Sequence, residues 1–223
     1  MTPDPIQPLY ETQRQAMVAS QLRTSAVDDV RVVAVMASVP RERFVPEAQA
    51  STAYRDRPLP LAGGRWQNAP LATGRLLTAA DIGPADRVLL IGATAGYTAA
   101  LVARLAGSVV AVESDATLAA AARENLAYLT NVDVREGTLA AGAPDQAPYD
   151  VLLIDGAVEH LPEALATQVK PGGRIVSGLL DRGVSRLAQG VRSEGGLGLV
   201  PFADIDCVVL PGFTKPRAFQ FPE

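Results

Sequence analysis

The chain has 223 residues, 48 % hydrophobic and 20 % charged, with a formal net charge of -4. That balance allows a sizeable buried core and offers no basic face to neutralise phosphates, so nucleic acid is not an expected partner. A single cysteine (Cys207) and a single histidine (His160) exclude an intramolecular disulfide, a cysteine metal cluster and a histidine-rich metal site.

The stretch Met1–Tyr10 is Pro-rich and acidic, unlike a signal peptide, and no apolar run is long enough to span a bilayer. A cytoplasmic protein without a membrane partner is expected. Leu9 to Leu22 reads as a helix with Met17, Val18 and Leu22 on one side. Asp28 or Asp29 is placed to cap a second helix that carries Val32, Val33, Val35 and Met36 and stops before Pro40. An extended stretch, Tyr54–Leu61, leads into the loop Gly63–Pro70, and a helix runs from about Leu71 to Ala80.

From there strand and helix alternate. Strands are expected at Arg87–Ile91, Ser108–Val112, Val132–Val134, Tyr149–Ile154 and Arg174–Ser177. Helices are expected at Tyr97–Leu105 and Ala116–Leu129, with a third starting at Pro162. Lys170–Gly173, Lys-Pro-Gly-Gly, reads as a turn. Two further strands, Leu199–Leu210 and Arg217–Phe221, would add antiparallel edges. The pattern implies an α/β, Rossmann-like, doubly wound and mostly parallel sheet, organised as a single domain: an N-terminal helical extension over 1–80 and a core over 81–223. Ligands of such sheets bind beyond the carboxyl ends of the strands, so functional residues are expected just after Ile91, Val112, Val134 and Ile154.

After the first of these strands comes Gly92-Ala-Thr-Ala-Gly96, two glycines bracketing a strand-to-helix turn. Such a turn is either plain local structure or a place where backbone approaches a ligand at a helix N-terminus. Glu113 ends the next strand, 21 residues after Gly92, near the spacing of about 20 at which a carboxylate takes both ribose hydroxyls in nucleotide-binding folds. Its alternative is a solvated acid at a strand end. Glu136, ending the third strand, has the same two readings, the functional one being acceptance from an adenine amino group.

A glycine loop, two acids and a Lys-Pro-Gly-Gly turn form a more specific set than any one of them. On that set the chain resembles the class I S-adenosylmethionine-dependent methyltransferases. Within them it is similar to the protein-L-isoaspartate O-methyltransferase family. The carrying stretches are Met17–Arg23, Val39–Pro46, Ala53–Pro60, Gly83–Leu89, Gly96–Ala100, Ala147–Asp150, Leu161–Leu165 and the Lys170 turn. Val39-Pro-Arg-Glu-Arg-Phe-Val-Pro46 is the most family-specific, because it lies outside the generic cofactor fold. The resemblance spans about residues 15 to 178.

The resemblance implies a methyltransferase that uses S-adenosyl-L-methionine and repairs isomerised aspartyl residues in proteins or peptides. It assigns cofactor binding to Gly92, Ala93, Thr94, Gly96, Tyr97, Glu113, Ser114, Glu136 and Gly137. It also assigns the acceptor loop to Trp66, Gln67 and Asn68. Four departures stand out. Leu90 replaces an acid and Thr94 a glycine in the first motif, Glu136 replaces an Asp, and Asn68 stands where the family has a Ser. An altered acceptor is therefore expected, which keeps a small-molecule methyltransferase and a non-catalytic relative as alternatives. Asn68 and Asp155 are the catalytic candidates. Asp155 and His160 would serve as base for a hydroxyl or amine acceptor, or else be a turn cap and a surface residue. Cys207 reads as a small buried hydrophobe, and Trp66 as loop packing or an acceptor wall.

Overall fold

A computed structural model describes residues 7–193 and 196–215. The N-terminal extension is helical. α1 (Gln7–Met17) runs on into a π turn at Val18–Leu22. α2 (Val30–Ser38) is capped by Asp29, whose carboxylate accepts from the N–H groups of Arg31 and Val32. It stops as expected, with Val39 extended ahead of Pro40. A short α3 (Glu47–Ala50) follows. Of the stretch expected to be extended, only β1 (Leu59–Pro60) is a strand. It pairs antiparallel with β2 (Trp66–Gln67) to make a small hairpin. α4 (Pro70–Ala80) begins at Pro70, where a missing N–H costs nothing.

The alternating region then gives β3 (Arg87–Ile91), α5 (Tyr97–Val102), β4 (Ser108–Glu113), α6 (Ala116–Leu126) and β5 (Val132–Glu136). β6 (Tyr149–Val158), α7 (Glu163–Ala166), β7 (Val169–Asp181), β8 (Val184–Val191) and β9 (Val200–Ala203) complete it. The sheet order is β5-β4-β3-β6-β7-β8-β9. The first five strands in that order are parallel, and β8 and β9 are antiparallel additions. Alternate residues serve opposite faces. Val88, Leu90, Val109 and Ala111 join the cluster that takes in Met17, Leu22, Met36 and Leu77 of the extension. Leu89, Ile91, Val110 and Val112 pack into a second cluster on the other face. Burial on both faces is why these strands read as unbroken apolar runs.

Several expectations need correction. Lys170–Gly173 is not a turn between elements but a bulge inside β7, where the register against β6 slips between Tyr149 and Val151. Pro162 caps α7 rather than lying in its first turn. β8 was not expected at all. It folds back on β7 through Arg182 (φ 49°) and Gly183 (φ 82°), a two-residue turn whose positive φ values match the strand twist. The strand expected over Leu199–Leu210 is only β9 plus a single bridge between Val209 and Ala157. The strand expected at Arg217–Phe221 lies outside the described residues.

Candidate active site

β3 has β4 on one side and β6 on the other, so the chain reverses its winding direction between β3 and β6. The crevice at such a reversal is where open α/β sheets bind ligands. Two features meet there: the Gly92–Gly96 turn after β3, and Asp155–Gly156 within the long β6, where the register against β7 slips between Leu153 and Ala157.

The first turn needs its glycines. Gly92 and Gly96 have φ of 84° and 102°, and Thr94 is also left-handed at 49°. A β-branched residue in that region costs about 1–2 kcal/mol. The conformation aims the Thr94 N–H at Glu113, whose Oε2 accepts it at 2.8 Å. Glu113 ends β4 and is fully buried. Its Oε1 also accepts from the N–H groups of Ser114 (2.8 Å) and Asp115 (3.0 Å). The expected carboxylate is thus built and oriented by three backbone donors.

Its remaining capacity is taken by Arg65. The guanidinium sits bidentate on Glu113, at 2.8 Å from Nη1 to Oε1 and 3.1 Å from Nη2 to Oε2, and only 7 % of the Arg65 side chain is exposed. Arg65 comes from the β1–β2 hairpin, whose Gly63–Gly64 tip has two positive φ values and lies against Asp115, the cap of α6.

The irregular part of β6 carries Asp155, which is buried. Its Oδ1 accepts from Asn68 Nδ2 at 2.7 Å and its Oδ2 from Thr98 Oγ1 at 2.5 Å. Asn68 Oδ1 in turn accepts from the Val208 N–H at 2.8 Å, with Cys207 Sγ at 3.3 Å. Beneath this loop lies Arg41, fully buried. It donates to the carbonyls of Ala53 and Asn68 and stacks over Tyr97, 4.8 Å from the ring centre. Gln67 fits when its amide donates to the Phe44 carbonyl (3.1 Å) and accepts from Arg41 Nη1 (2.9 Å).

Burial pushes the Asp155 carboxyl above its ordinary 3.8, while bonds from Thr98 and Asn68 and the charges of Arg41 and Arg65 pull it down. The folded chain therefore keeps this proton to a higher pH than the unfolded chain does. The stability linked to it is fully present below pH 3.8 and is lost as pH rises through the folded value. Asp155→Asn removes that loss. Thermal unfolding followed from about pH 4 upward should show the wild type falling relative to the variant. Parallel curves would show that the carboxyl titrates alike in both states.

The expected catalytic pair, Asn68 and Asp155, is therefore in direct contact, and Thr94, Glu113 and Ser114 form one cluster. Glu136 is exposed at the end of β5, paired in register with Glu113, and the Gly137 N–H reaches the Glu113 carbonyl at 2.9 Å. Tyr97 turns away: its ring is buried against Phe44 and Arg41. Trp66 is 47 % exposed on the hairpin. His160 bonds the Phe213 carbonyl through Nδ1 at 3.0 Å, so that nitrogen carries the proton. Cys207 is buried, as expected of a small hydrophobe, and burial raises its thiol pKa.

Arg41, Arg65, Thr98 and Leu210 were not expected at the site. Leu210 matters most. A Cβ built on Gly92 would lie 3.1 Å from Leu210 Cδ1 and 3.6 Å from Arg65 Nη2, and one on Gly156 would lie 2.4 Å from Leu210 Cγ. The glycine cradle is thus covered by side chains of the chain itself. In this conformation the residues do not fit an adenosyl group: its hydroxyls and Arg65 would need the same carboxylate, and its body the same space as Leu210. A groove of about 610 Å³ lined by Leu161, Leu179, Arg192 and Leu199 involves none of the cradle residues.

The family model described as Protein-L-isoaspartate(D-aspartate) O-methyltransferase matches residues 12–198. The chain is 43 % identical over 169 residues to a protein-L-isoaspartate O-methyltransferase of Koribacter versatilis, covering 75 % of this chain and 76 % of that protein. It is 38 % identical over 202 residues to one of Methanoculleus marisnigri, covering 90 % and 92 %. A solved protein-L-isoaspartate O-methyltransferase superposes with a TM-score of 0.78 at 24 % identity, over 89 % of this chain and 66 % of its own. A second solved structure, from Plasmodium falciparum, is described as a putative enzyme of that name in complex with S-adenosyl-L-homocysteine. It gives a TM-score of 0.74 at 18 % identity, over 88 % and 97 %. These two likenesses concern the fold.

Proposed function

Because the chain belongs to the protein-L-isoaspartate O-methyltransferase family, we propose that it transfers a methyl group from S-adenosyl-L-methionine to a carboxylate of a protein or peptide, with isomerised aspartyl residues as the acceptor class. The observation that carries this reading is the pairing of a left-handed glycine turn after β3 with a carboxylate locked by backbone donors at the end of β4. When bound, the cofactor supplies an activated sulfonium methyl.

The acceptor carboxylate is ionised at neutral pH and needs no base. What the chain must supply is alignment and the exclusion of water. Asn68 and Asp155 are suited to the first task, since each fixes the other and Asn68 takes the loop position that the resemblance gives to the family's Ser. Trp66, half-exposed two residues before Asn68 on the same loop, is suited to the second. The distribution of Asn68 contacts makes it a positioning group: both ends of its amide already hold partners within the chain.

Radiolabelled methyl incorporation tests this directly, with an isoaspartyl peptide and its normal aspartyl counterpart as acceptors. Label is expected in the first and not in the second. No label in either at saturating donor would remove the repair assignment, and label in both would make the acceptor a general carboxylate.

A further inference from the structure

The cover over the cradle is built from two pieces that touch each other's ground. One is Arg65, on a hairpin with a Gly-Gly tip. The other is the segment Cys207–Phe213, which crosses the ends of β3 and β6. Among the described residues the segment is held at its ends by Cys207 N–H on Ser185 Oγ (3.0 Å) and by His160 Nδ1 on the Phe213 carbonyl (3.0 Å), and it buries Cys207, Leu210 and Phe213. Val208 and Leu210 exchange backbone bonds with Ala157 at 2.7 and 2.9 Å, and Val208 donates to Asn68. Among the described residues its only strand pairing is a single bridge rather than a ladder, so lifting it breaks few backbone bonds, and what opposes the movement is the burial of Leu210 and Phe213. It also lies beyond residue 198, where the family match ends.

Arg65 is likewise replaceable. If it leaves, Glu113 keeps three backbone donors and is not orphaned. The hairpin tip is exposed: among the described residues a side chain at Gly64 would meet nothing within 4 Å, while Gly63 lies against Asp115. A ribose diol and a guanidinium both satisfy a carboxylate through two parallel donors, so they are direct competitors for Glu113.

We propose that Arg65 and the Cys207–Phe213 strap form an autoinhibitory closure over the adenosyl site, and that a nucleoside ligand binds by displacing both. The hairpin turns on Gly63–Gly64 and hands Glu113 to the ligand, while the strap lifts Leu210 off Gly92 and Gly156. This rests on the cofactor reading above and adds that the site is closed by default.

Two measurements on the full chain test it. Calorimetry gives the Kd of S-adenosylhomocysteine for wild type, Arg65→Ala and Leu210→Ala; the second variant guards against a folding failure of the first. The modification rate of Cys207, the only thiol, by a small thiol reagent reports release of the strap. Each variant is expected to bind about tenfold or more tightly than wild type. Saturating ligand is expected to speed Cys207 modification by about tenfold or more, by holding the strap open. Tight wild-type binding with unchanged Cys207 reactivity, or binding that weakens in both variants, overturns the closure and leaves the cofactor reading intact. Failure of all three proteins to bind the ligand removes the cofactor reading and the closure with it.

Discussion

Glu113→Ala lowers stability by about 3–5 kcal/mol, the cost of removing one partner of a buried, hydrogen-bonded charge pair. Three backbone N–H groups, those of Thr94, Ser114 and Asp115, lose their acceptor together, and Arg65 loses its carboxylate at 7 % exposure. The left-handed conformation of Thr94 also loses the bond that compensates it. Urea unfolding should show a lower midpoint with an unchanged m-value. Glu113→Gln should lose less, because one oxygen remains to accept. Arg65→Ala should also lose less, because the carboxylate keeps its backbone donors. If Arg65→Ala costs as much as Glu113→Ala, the ion pair and not the backbone clamp holds this corner together.

Arg41→Ala has a comparable effect from the other side of the site. Arg41 is fully buried and faces carbonyls, an amide and an aromatic ring rather than a carboxylate. Burial alone pulls its pKa down, so part of its contribution is already offset. Truncation leaves the Ala53 and Asn68 carbonyls unpaired, at about 1–3 kcal/mol each, and opens a cavity beside Tyr97. The net expectation is a loss of about 3 kcal/mol, which for a chain of this length lowers Tm by about 6–12 °C. Arg41→Lys should not restore it, since one ammonium cannot serve carbonyls on two separate segments and stack flat on the ring. Methyl transfer should fall further than stability explains, because the backbone of the Asn68 loop hangs on this guanidinium. Retention of wild-type Tm in Arg41→Ala would show that the loop is held by its other contacts.

The parallel core was legible because its strands are apolar on both faces, and β3 and β4 appear within one residue of where their runs of Val, Leu and Ile put them. The Asp29 cap and the stop at Pro40 were legible for equally local reasons. β8 was not, since Val184–Val191 mixes Ser, Arg, Gln and Gly into its pattern; the positive-φ turn at Arg182–Gly183 was the signal available. Lys170–Gly173 misled because a Pro-Gly-Gly run reads alike as a turn or as a bulge. At the site, the acids and glycines were readable from spacing to their strands. Arg65 and Leu210 were not, because their places depend on a hairpin and a tail segment folding back across 48 and more than 100 residues respectively. Nothing in the local sequence encodes that meeting.

The hairpin that carries Arg65 also carries Trp66, the only tryptophan, roughly half in water. The molecule thus has an intrinsic fluorophore on the residue next to Arg65. A movement of the hairpin that frees Glu113 carries that indole with it, so emission wavelength and quenching by iodide give a label-free optical trace of the hairpin's position in real time.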